Sequence, residues 1–275
     1  MPNDSPSAAL SSIPRLDKFS GSVAILVSSC DAFFDAWKPF VRLFEKFWSE
    51  CPLPIFLLTN RLTISSARLQ TIQVGEDHGW SNNLLAALPR LSQSHVLYFQ
   101  EDYFLTAPVT LAQLARDFSF AIESDSDSLC FRARPKPDPD FKRLNERFGV
   151  VPLDSDGRTR CQVTLWKRSA LQAILRPNES AWDFEACGSA RTGAMQILSY
   201  ERRENTPVPY LMSAISRGLW TGEALALCRE NEIAIEPFFR PEFSPRPWQQ
   251  RMRRAIGRRR LARALRAQMP NPIEL

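Results

Sequence analysis

The chain has 275 residues, of which 44% are hydrophobic, and its formal net charge is +5. This length and composition suit one large globular domain or two small ones, and no apolar run approaches the roughly 18 residues that a membrane span needs. The six cysteines include no C-x-x-C pair and there are only two histidines, which argues against a zinc knuckle, a redox motif and a His-rich metal site.

The two ends of the chain differ in composition from the body. Residues 1–21 are rich in Ser, Pro and Ala and lack the apolar core and basic start of a signal peptide. From Arg246 to Arg266 there are nine arginines and no acidic residue, so the rest of the chain has a net charge of −4 (5 minus 9). We predict a disordered leader at 1–21, a domain at 22–245 and a basic tail at 246–275, in a cytoplasmic protein.

Apolar runs and helical spacing alternate through the first half of the domain. Continuous apolar runs that end in polar residues predict buried parallel strands at 22–29, 55–60 and 96–99. Apolar positions three and four residues apart predict helices at about 33–48 and 80–91, the second capped by Ser81. Strands and helices joined by short connections are typical of a parallel α/β sheet.

The second half of the domain is less regular. We predict, in order, a helix at 110–120, a strand at 128–134, a loop at 135–140, a helix-like piece at 141–148, a strand at 162–166, and helices at 169–175 and 221–231. The stretch 198–217 mixes proline with apolar residues and has no clear period.

Two adjacent carboxylates, Glu101 and Asp102, follow directly on the apolar strand predicted at 96–99. Ionised side chains are rarely buried unless they are paired or bind a metal, and ligands of open α/β sheets bind beyond the carboxyl ends of the strands. Two oxygen donors there suit Mg²⁺ or Mn²⁺ held together with substrate phosphates. From this segment alone, a solvated turn after the strand is the alternative.

Three stretches, taken in order, resemble GT-A type nucleotide-sugar glycosyltransferases, and in particular the large inverting family that includes bacterial cell-surface polysaccharide enzymes. They are the strand end and polar turn VSSCD at 27–31, the Asn-containing helix WSNNLLAAL at 80–88, and the strand LYFQED at 97–102, which is similar to a strand closing in a D-x-D motif. The chain departs from the pattern at Gln100, which takes the place of the first acid, and at Asn60, where the family has an Asp pair.

The resemblance implies an α/β fold of GT-A (Rossmann-like) type, with a mostly parallel central sheet flanked by helices. It implies transfer of a sugar from a nucleotide-sugar donor to a saccharide or lipid-linked saccharide, in bacterial surface polysaccharide or lipopolysaccharide synthesis, with inversion favoured. The divalent metal would be held by Asp102 first and Glu101 second. The residues expected at the donor are Ser28, Asp31, Asn82, Glu101, Asp102 and Arg191, although Asp31 could instead cap the following helix.

Transfer also needs a carboxylate that accepts the acceptor's proton, and the segment at 182–185 offers two. Glu185 is the expected base because it sits early in a predicted helix well after the metal motif, as in the family, and Asp183 is the reserve candidate. Acids in a first helical turn also stabilise the helix dipole, which is the alternative role. Trp182 could stack on a sugar ring, Trp166 is expected in the core, and Arg132, Arg134 and Arg191 could contact a diphosphate.

The basic tail allows three interpretations. Its apolar residues fall on one side of a helical wheel on either side of a break predicted at Gly257, which is typical of a helix on an anionic membrane surface. The helix could instead pack on the body, while nucleic-acid binding is less favoured because the body is acidic. A non-catalytic protein that acts through this tail is the alternative function. A sugar nucleotidyltransferase is a further rival, although the turn at 28–31 lacks the glycine of a phosphate loop.

Overall fold

The computed structural model of the chain describes residues 14–134, 140–235, 239–242, 247–268 and 272–274. The strands, in chain order, are β1 Val23–Ser28, β2 Ile55–Thr59, β3 Ile64–Ser65, β4 Leu69–Gln73, β5 His95–Gln100, β6 Ser128–Cys130, β7 Lys142–Arg143, β8 Phe148–Val150, β9 Thr164–Lys167, β10 Ile197–Tyr200, β11 Ile215–Ser216, β12 Leu219–Trp220 and β13 Ile273–Glu274. The α-helices are α1 Phe34–Phe47, α2 Trp80–Ala87, α3 Leu111–Glu123, α4 Arg168–Ile174, α5 Ala181–Cys187, α6 Gly222–Glu230 and α7 Pro247–Gln268.

One large sheet organises the domain, with the strand order β4-β2-β1-β5-β9-β6-β10-β8-β7. The β4-β2-β1-β5 half is parallel, β9 runs antiparallel to both of its neighbours, and beyond it β6 and β10 are again parallel to each other. The prediction of an α/β domain built on a large sheet flanked by helices is confirmed. The sheet is mixed beyond β5 because β9 returns in the opposite direction.

Helices cover both faces of this sheet, which explains why its central strands are apolar without interruption. All six residues of β1 are buried. Val23, Ile25 and Val27 belong to a core with the aromatic side chains of α1 and α3, whereas Leu26 belongs to a second core with α2, α4 and α5. A strand that is buried on both faces loses the alternation of polar and apolar residues.

The chain reverses its direction of travel across the sheet between β1 and β5. From β1 it proceeds outward to β2 and β4, and it then returns to place β5 on the other side of β1, in register from Val23–His95 to Ser28–Gln100. Ligands of open α/β sheets bind at such a switch point, beyond the carboxyl ends of the strands. The predicted acidic pair follows β5 at this point.

Several local predictions are wrong. Ser81 does not cap α2: the N-cap is Gly79, and the buried Ser81 hydroxyl accepts a hydrogen bond from the Glu179 N–H at 2.9 Å. The piece at 141–148 contains strands β7 and β8 instead of a helix. Of the predicted leader, residues 1–13 lie outside the described residues, but Leu16 and Phe19 are buried in the core, so the body starts before residue 22. The loop predicted at 135–140 lies almost wholly outside them too.

The tail forms a single helix, α7, that continues through Gly257, so the break predicted there is wrong. A Cβ at this position would lie 2.7 Å from the Phe239 carbonyl oxygen, and the absence of a side chain therefore lets the helix approach the segment at 239–241. Leu265 packs against the core from the same side. Among the residues that the structure describes, no helix is both long enough and apolar enough to cross a bilayer.

Candidate functional site

Glu101 and Asp102 lie beyond the end of β5 and are both buried, with 7% of each residue exposed. Asp102 is held by β11 and the residues just before it. Its Oδ2 accepts hydrogen bonds from the Ser213 hydroxyl at 3.0 Å and from the Ile215 N–H at 3.3 Å. Its Oδ1 is buried and has no hydrogen-bond partner among the described residues. A buried carboxylate oxygen without a partner is costly for the fold and is an acceptor available to a ligand.

Burial weakens the acidity of both carboxyl groups. It raises the pKa of Asp102 to about 6, although the hydrogen bonds from Ser213 and Ile215 act in the opposite direction. The pKa of Glu101 is raised well above its usual range, first by burial and then by the charge of Asp102. Two adjacent acids in a dry environment are unfavourable when both are ionised, and a cation that binds them relieves that repulsion.

Nearby, one arginine balances part of this negative charge. Arg240, of which 6% is exposed, donates from Nε and Nη2 to the carboxylate of Asp35 at 3.2 and 3.1 Å, and from Nη2 to the Ala32 carbonyl at 3.0 Å. Its charge also acts on Glu101 and Asp102, lowering the pKa of each. Its charge thus offsets part of the repulsion among Asp35, Glu101 and Asp102.

The donor set fits a cation that is completed by its substrate. No cluster of three or more Asp, Glu, His or Cys side chains suited to a metal ion occurs within the described ranges. Asp102 through its unpartnered Oδ1, together with Glu101, could supply two carboxylates, and Mg²⁺-type ions commonly take one or two carboxylates together with substrate phosphates and water.

A cavity of about 700 Å³ opens directly onto the acidic pair and brings predicted site residues from distant parts of the chain together. Glu101, Asp102, Trp182 and Glu185 all line it. Trp182 is 81% exposed at the mouth, where an aromatic side chain has no packing role. The wall also contains three arginines, Arg134, Arg160 and Arg217. The cavity thus combines carboxylates, cations and an aromatic surface.

Glu185 is oriented by a backbone contact. Its Oε1 accepts a hydrogen bond from the Cys161 N–H at 2.7 Å, while Oε2 has no partner among the described residues. The Tyr103 hydroxyl donates to the Cys161 carbonyl from the other side. A carboxylate that is fixed through one oxygen and free at the other can accept a proton from a bound hydroxyl group.

Asp183 has a different environment from Glu185, although both belong to α5. Ser180 is the N-cap of α5, and its side chain accepts from the Asp183 N–H at 3.2 Å while Asp183 Oδ2 accepts from the Ser180 N–H at 2.9 Å. This reciprocal capping box lowers the pKa of Asp183. Asp183 is not among the residues that line the cavity.

Three further predicted donor residues, Ser28, Asp31 and Asn82, are engaged in other contacts. Asp31 accepts backbone N–H groups of residues 60, 61 and 62, so it joins the ends of β1 and β2 and does not cap the following helix. Ser28 hydrogen-bonds with Tyr98. Asn82 donates to the His78 carbonyl at 2.7 Å and to Asn178 at 2.9 Å. None of the three lines the cavity.

Two arginines and a tryptophan named from the sequence have structural contacts. Arg191 forms a two-pronged ion pair with Glu179, at 2.5 and 2.9 Å, and lies outside the cavity wall. Arg132 lies over the Tyr210 ring at 5.8 Å, also outside it. Trp166 is 2% exposed in the core, as expected.

Sequence reasoning missed the short hairpin that forms one wall of the cavity. Arg217 and Gly218 connect β11 to β12, and both have positive φ, at 51° and 75°. Two residues in this conformation form the type I′ turn that matches the twist of a hairpin. The dipeptide Arg-Gly between Ile215-Ser216 and the apolar pair Leu219-Trp220 was the available signal. The same segment supplies Ser213, which holds Asp102.

Comparisons with known proteins find similarity only at the level of structure. No family model matches the chain. No curated protein matches it either. Among solved structures, residues 1-349 of S. aureus TarS give a TM-score of 0.46 at 14% identity, over 69% of this chain and 59% of that chain. The same fragment in complex with UDP-GlcNAc gives 0.45 at 13% identity, over 69% and 57%.

A UDP-glucose pyrophosphorylase complexed with UDP-glucose gives a TM-score of 0.43 at 8% identity, over 66% of this chain and 90% of that chain. The chain spans 59% of the TarS fragment and 44% of a longer TarS chain. TarS and this pyrophosphorylase are thus structural neighbours of the protein, at TM-scores below 0.5.

Proposed function

We propose that the protein is a GT-A type glycosyltransferase that moves a sugar from a nucleoside diphosphate sugar to a saccharide or lipid-linked saccharide. The observation that carries this proposal is the unpartnered, buried Oδ1 of Asp102, which lies in the wall of a cavity that also holds Glu101, Glu185 and Trp182. Such a cavity has an anionic cation-binding end, a free carboxylate and an exposed aromatic ring.

The acidic end is assigned to the donor's diphosphate. Asp102 and Glu101 would hold Mn²⁺ or Mg²⁺. When bound, this ion would neutralise charge on the departing diphosphate. Arg217 lines the same cavity and makes no ion pair or hydrogen bond with a described residue, so its guanidinium is free to contact a phosphate. We assign the same role to Arg160, which lines the cavity and is held through Nη1 by the carbonyl groups of Arg132 and Ala133 at 3.0 and 3.3 Å.

The acceptor is assigned to the side of the cavity formed by α5. Its hydroxyl oxygen attacks the anomeric carbon, its proton passes to Oε2 of Glu185, and the bond from that carbon to the diphosphate oxygen breaks. A single displacement of this kind inverts the anomeric configuration. Trp182 provides a surface on which a sugar ring stacks, which supports a saccharide acceptor of the kind used in surface polysaccharide or lipopolysaccharide assembly.

Nucleotide-sugar binding and turnover test the proposal. Thermal unfolding of the protein would be monitored in the presence of UDP-GlcNAc, UDP-glucose or GDP-mannose, each with and without Mn²⁺. Release of the nucleoside diphosphate would then be assayed with oligosaccharide acceptors. We expect stabilisation by one nucleotide that requires Mn²⁺ and is lost in Asp102→Asn. Stabilisation by no nucleotide sugar, or equal stabilisation of the variant, contradicts the proposal.

A matched pair of variants on α5 tests the base. Glu185→Gln should lower kcat by at least a hundredfold, within the usual range for a general base, while donor binding is unchanged. Asp183→Asn alters the same helix at a residue outside the cavity wall and should leave kcat within about twofold. Equal losses in both variants would assign the effect to α5 as a whole. A sugar nucleotidyltransferase would instead form a nucleoside triphosphate when pyrophosphate is added to the nucleotide sugar.

We further propose that α7 binds an anionic membrane surface, which would place the protein on the inner face of the cytoplasmic membrane. Trp248, Met252 and Ile256 recur every four residues on one side of α7 and are 63%, 52% and 42% exposed. Gly257 and Leu265, from another side, face the body. The helix carries eight arginines and no acid, and each contributes about 1 kcal/mol near an anionic bilayer.

Vesicle sedimentation tests this second proposal. Binding to phosphatidylglycerol vesicles should exceed binding to phosphatidylcholine vesicles. It should weaken as the salt concentration is raised from about 50 to about 500 mM. Trp248→Ser combined with Ile256→Ser should reduce it, whereas Leu153→Ser, which alters an exposed apolar residue outside α7, should not. Binding of a duplex oligonucleotide without vesicle binding would favour the nucleic-acid alternative. Vesicle binding without nucleotide-sugar turnover would favour the non-catalytic one.

A further inference from the structure

A second, smaller cavity of about 200 Å³ lies between α7 and the β11–β12 hairpin. None of the described residues in its wall is acidic. Four of them are arginines: Arg217, Arg240, Arg254 and Arg258. Arg240 forms an ion pair with Asp35, and the other three have no ion pair with a described residue. A concave wall with this charge pattern concentrates anions.

Arg254 is the most informative member of this wall. Its Nε and Nη2 atoms are buried, and neither has a hydrogen-bond partner within the described residues. A guanidinium is an obligatory donor, and leaving its N–H groups unsatisfied away from water disfavours the fold. Buried donors aimed into a cavity of like charge are satisfied when an anion with several acceptor oxygens binds there.

The small cavity adjoins the large one. Phe33, Arg217 and Gly218 line both, so an anion in the small cavity would be separated from the donor cavity only by the Phe33 ring and the hairpin turn. Gly257 and Leu261 of α7 form its outer wall, on the same helix as Trp248 and Ile256. A molecule bound there would be near both the sugar-transfer cavity and the exposed apolar side of α7.

We infer that this cavity is a binding site for a phosphate monoester, held by Arg254 and Arg258 of α7. Phosphate oxygens match the planar, two-pronged donors of guanidinium groups. As a subsite for a phosphorylated acceptor, the site rests on the transferase function proposed above, whereas anion binding itself does not. The phosphate could belong to a lipid or to a soluble sugar phosphate, since the cavity contacts only the phosphate in either case.

Titration calorimetry with inorganic phosphate on the full chain, with potassium chloride at matched ionic strength as blank, tests the site. Arg254→Gln should weaken phosphate binding at least tenfold without lowering the unfolding temperature, because it removes a cation whose buried Nε and Nη2 have no hydrogen-bond partner among the described residues. Arg266→Gln makes the same change on an exposed residue of α7 and should bind phosphate as the native chain does. Undiminished binding by Arg254→Gln, or equal weakening in both variants, overturns the inference.

Two further arms separate this site from the donor site. Phosphate binding should persist in the presence of saturating UDP and Mn²⁺, and it should persist in the Asp102→Asn variant. A failure of the donor proposal would therefore leave phosphate binding unchanged. Competition between phosphate and UDP would overturn the inference that the two sites are separate. Dihexanoyl phosphatidic acid and glucose 1-phosphate, both phosphate monoesters, identify the source. At least tenfold tighter binding of the first supports a lipid phosphate, equal or weaker binding supports a soluble one, and binding of neither overturns the site.

Discussion

Replacing Asp102 by Asn should stabilise the protein at neutral pH, because the native carboxylate is buried and has one oxygen without a partner. Its pKa is raised from 3.8 to about 6 by burial, and a shift of about two units corresponds to about 3 kcal/mol. The new side chain's oxygen can still accept from Ser213 and Ile215, while its amide nitrogen replaces the unpartnered oxygen. Because the buried N–H groups of the amide also lack a partner, the gain should be positive but smaller than this upper limit of about 3 kcal/mol, or roughly 6 °C for a chain of this length.

The sign of the pH dependence follows from the direction of the shift. In the folded state the Asp102 pKa lies above its unfolded value, so the folded protein holds the proton more tightly and loses stability as the pH rises from about 4 to about 6. The Asp102→Asn substitution removes this loss. The gain in the free energy of unfolding should thus be absent below about pH 4 and complete above about pH 6.

Urea unfolding in metal-free buffer between pH 4 and pH 8 measures the effect. Asp125→Asn is the matched control, because Lys167 lowers the pKa of this exposed acid and its replacement should cost stability as the pH rises. Adding Mn²⁺ with the nucleotide should stabilise the native protein and leave Asp102→Asn unchanged. A variant that is no more stable than the native chain at pH 8, or whose gain is independent of pH, would refute the reasoning.

Three other variants have expected outcomes. Trp182→Ala, at an 81% exposed position, should leave the unfolding free energy within about 0.5 kcal/mol and raise the acceptor KM several-fold through loss of about 1 kcal/mol of stacking; an unchanged KM argues against acceptor contact. Ser180→Ala should cost about 1 kcal/mol because the N-cap of α5 is lost, and a smaller change in urea unfolding would mean the cap is compensated. Gly257→Ala places a Cβ 2.7 Å from the Phe239 carbonyl oxygen, so α7 should be displaced. The cost of this displacement should outweigh the roughly 1 kcal/mol gained in helix propensity. Proteolysis near α7 should therefore become faster, and slower proteolysis contradicts this prediction.

The parallel half of the sheet was predictable because its physics is local. β1 and β5 are buried on both faces, and such strands carry near-continuous apolar runs, so a short run of residues identifies them. The antiparallel return of β9 between β5 and β6 has no such signal. Strand direction there is set by which distant partner the chain reaches, and no single segment contains that information.

Local patterns also misled where tertiary contacts decided the outcome. Phe141 and Phe148 have helical spacing, but residues 142–143 and 148–150 pair as strands at the sheet's edge. Gly257 weakens a helix in isolation, yet here it allows a backbone approach that a side chain would prevent. Ser81 has the side chain of an N-cap but faces the interior, where it holds residue 179.

The candidate site could be predicted in part. The acidic pair was recognisable because charge after a buried strand is uncommon, and Glu185 lies in the same cavity. Asp31 and Arg191 have side chains suited to a donor site, but their contacts with residues 60–62 and with Glu179 depend on the folded arrangement. Arg217 and Ser213 come from a segment without periodicity, and only the hairpin geometry brings them to the cavity.

The contact between Arg240 and Asp35 joins residues that are 205 positions apart in sequence. During synthesis from the N-terminus, β1, β5 and the acidic pair are all made long before residue 240 leaves the ribosome. Until then Asp35, Glu101 and Asp102 lack the one guanidinium that acts on all three. Strands β1 and β5 can therefore assemble early, but the electrostatic balance around the acidic pair is completed among the last events of chain elongation.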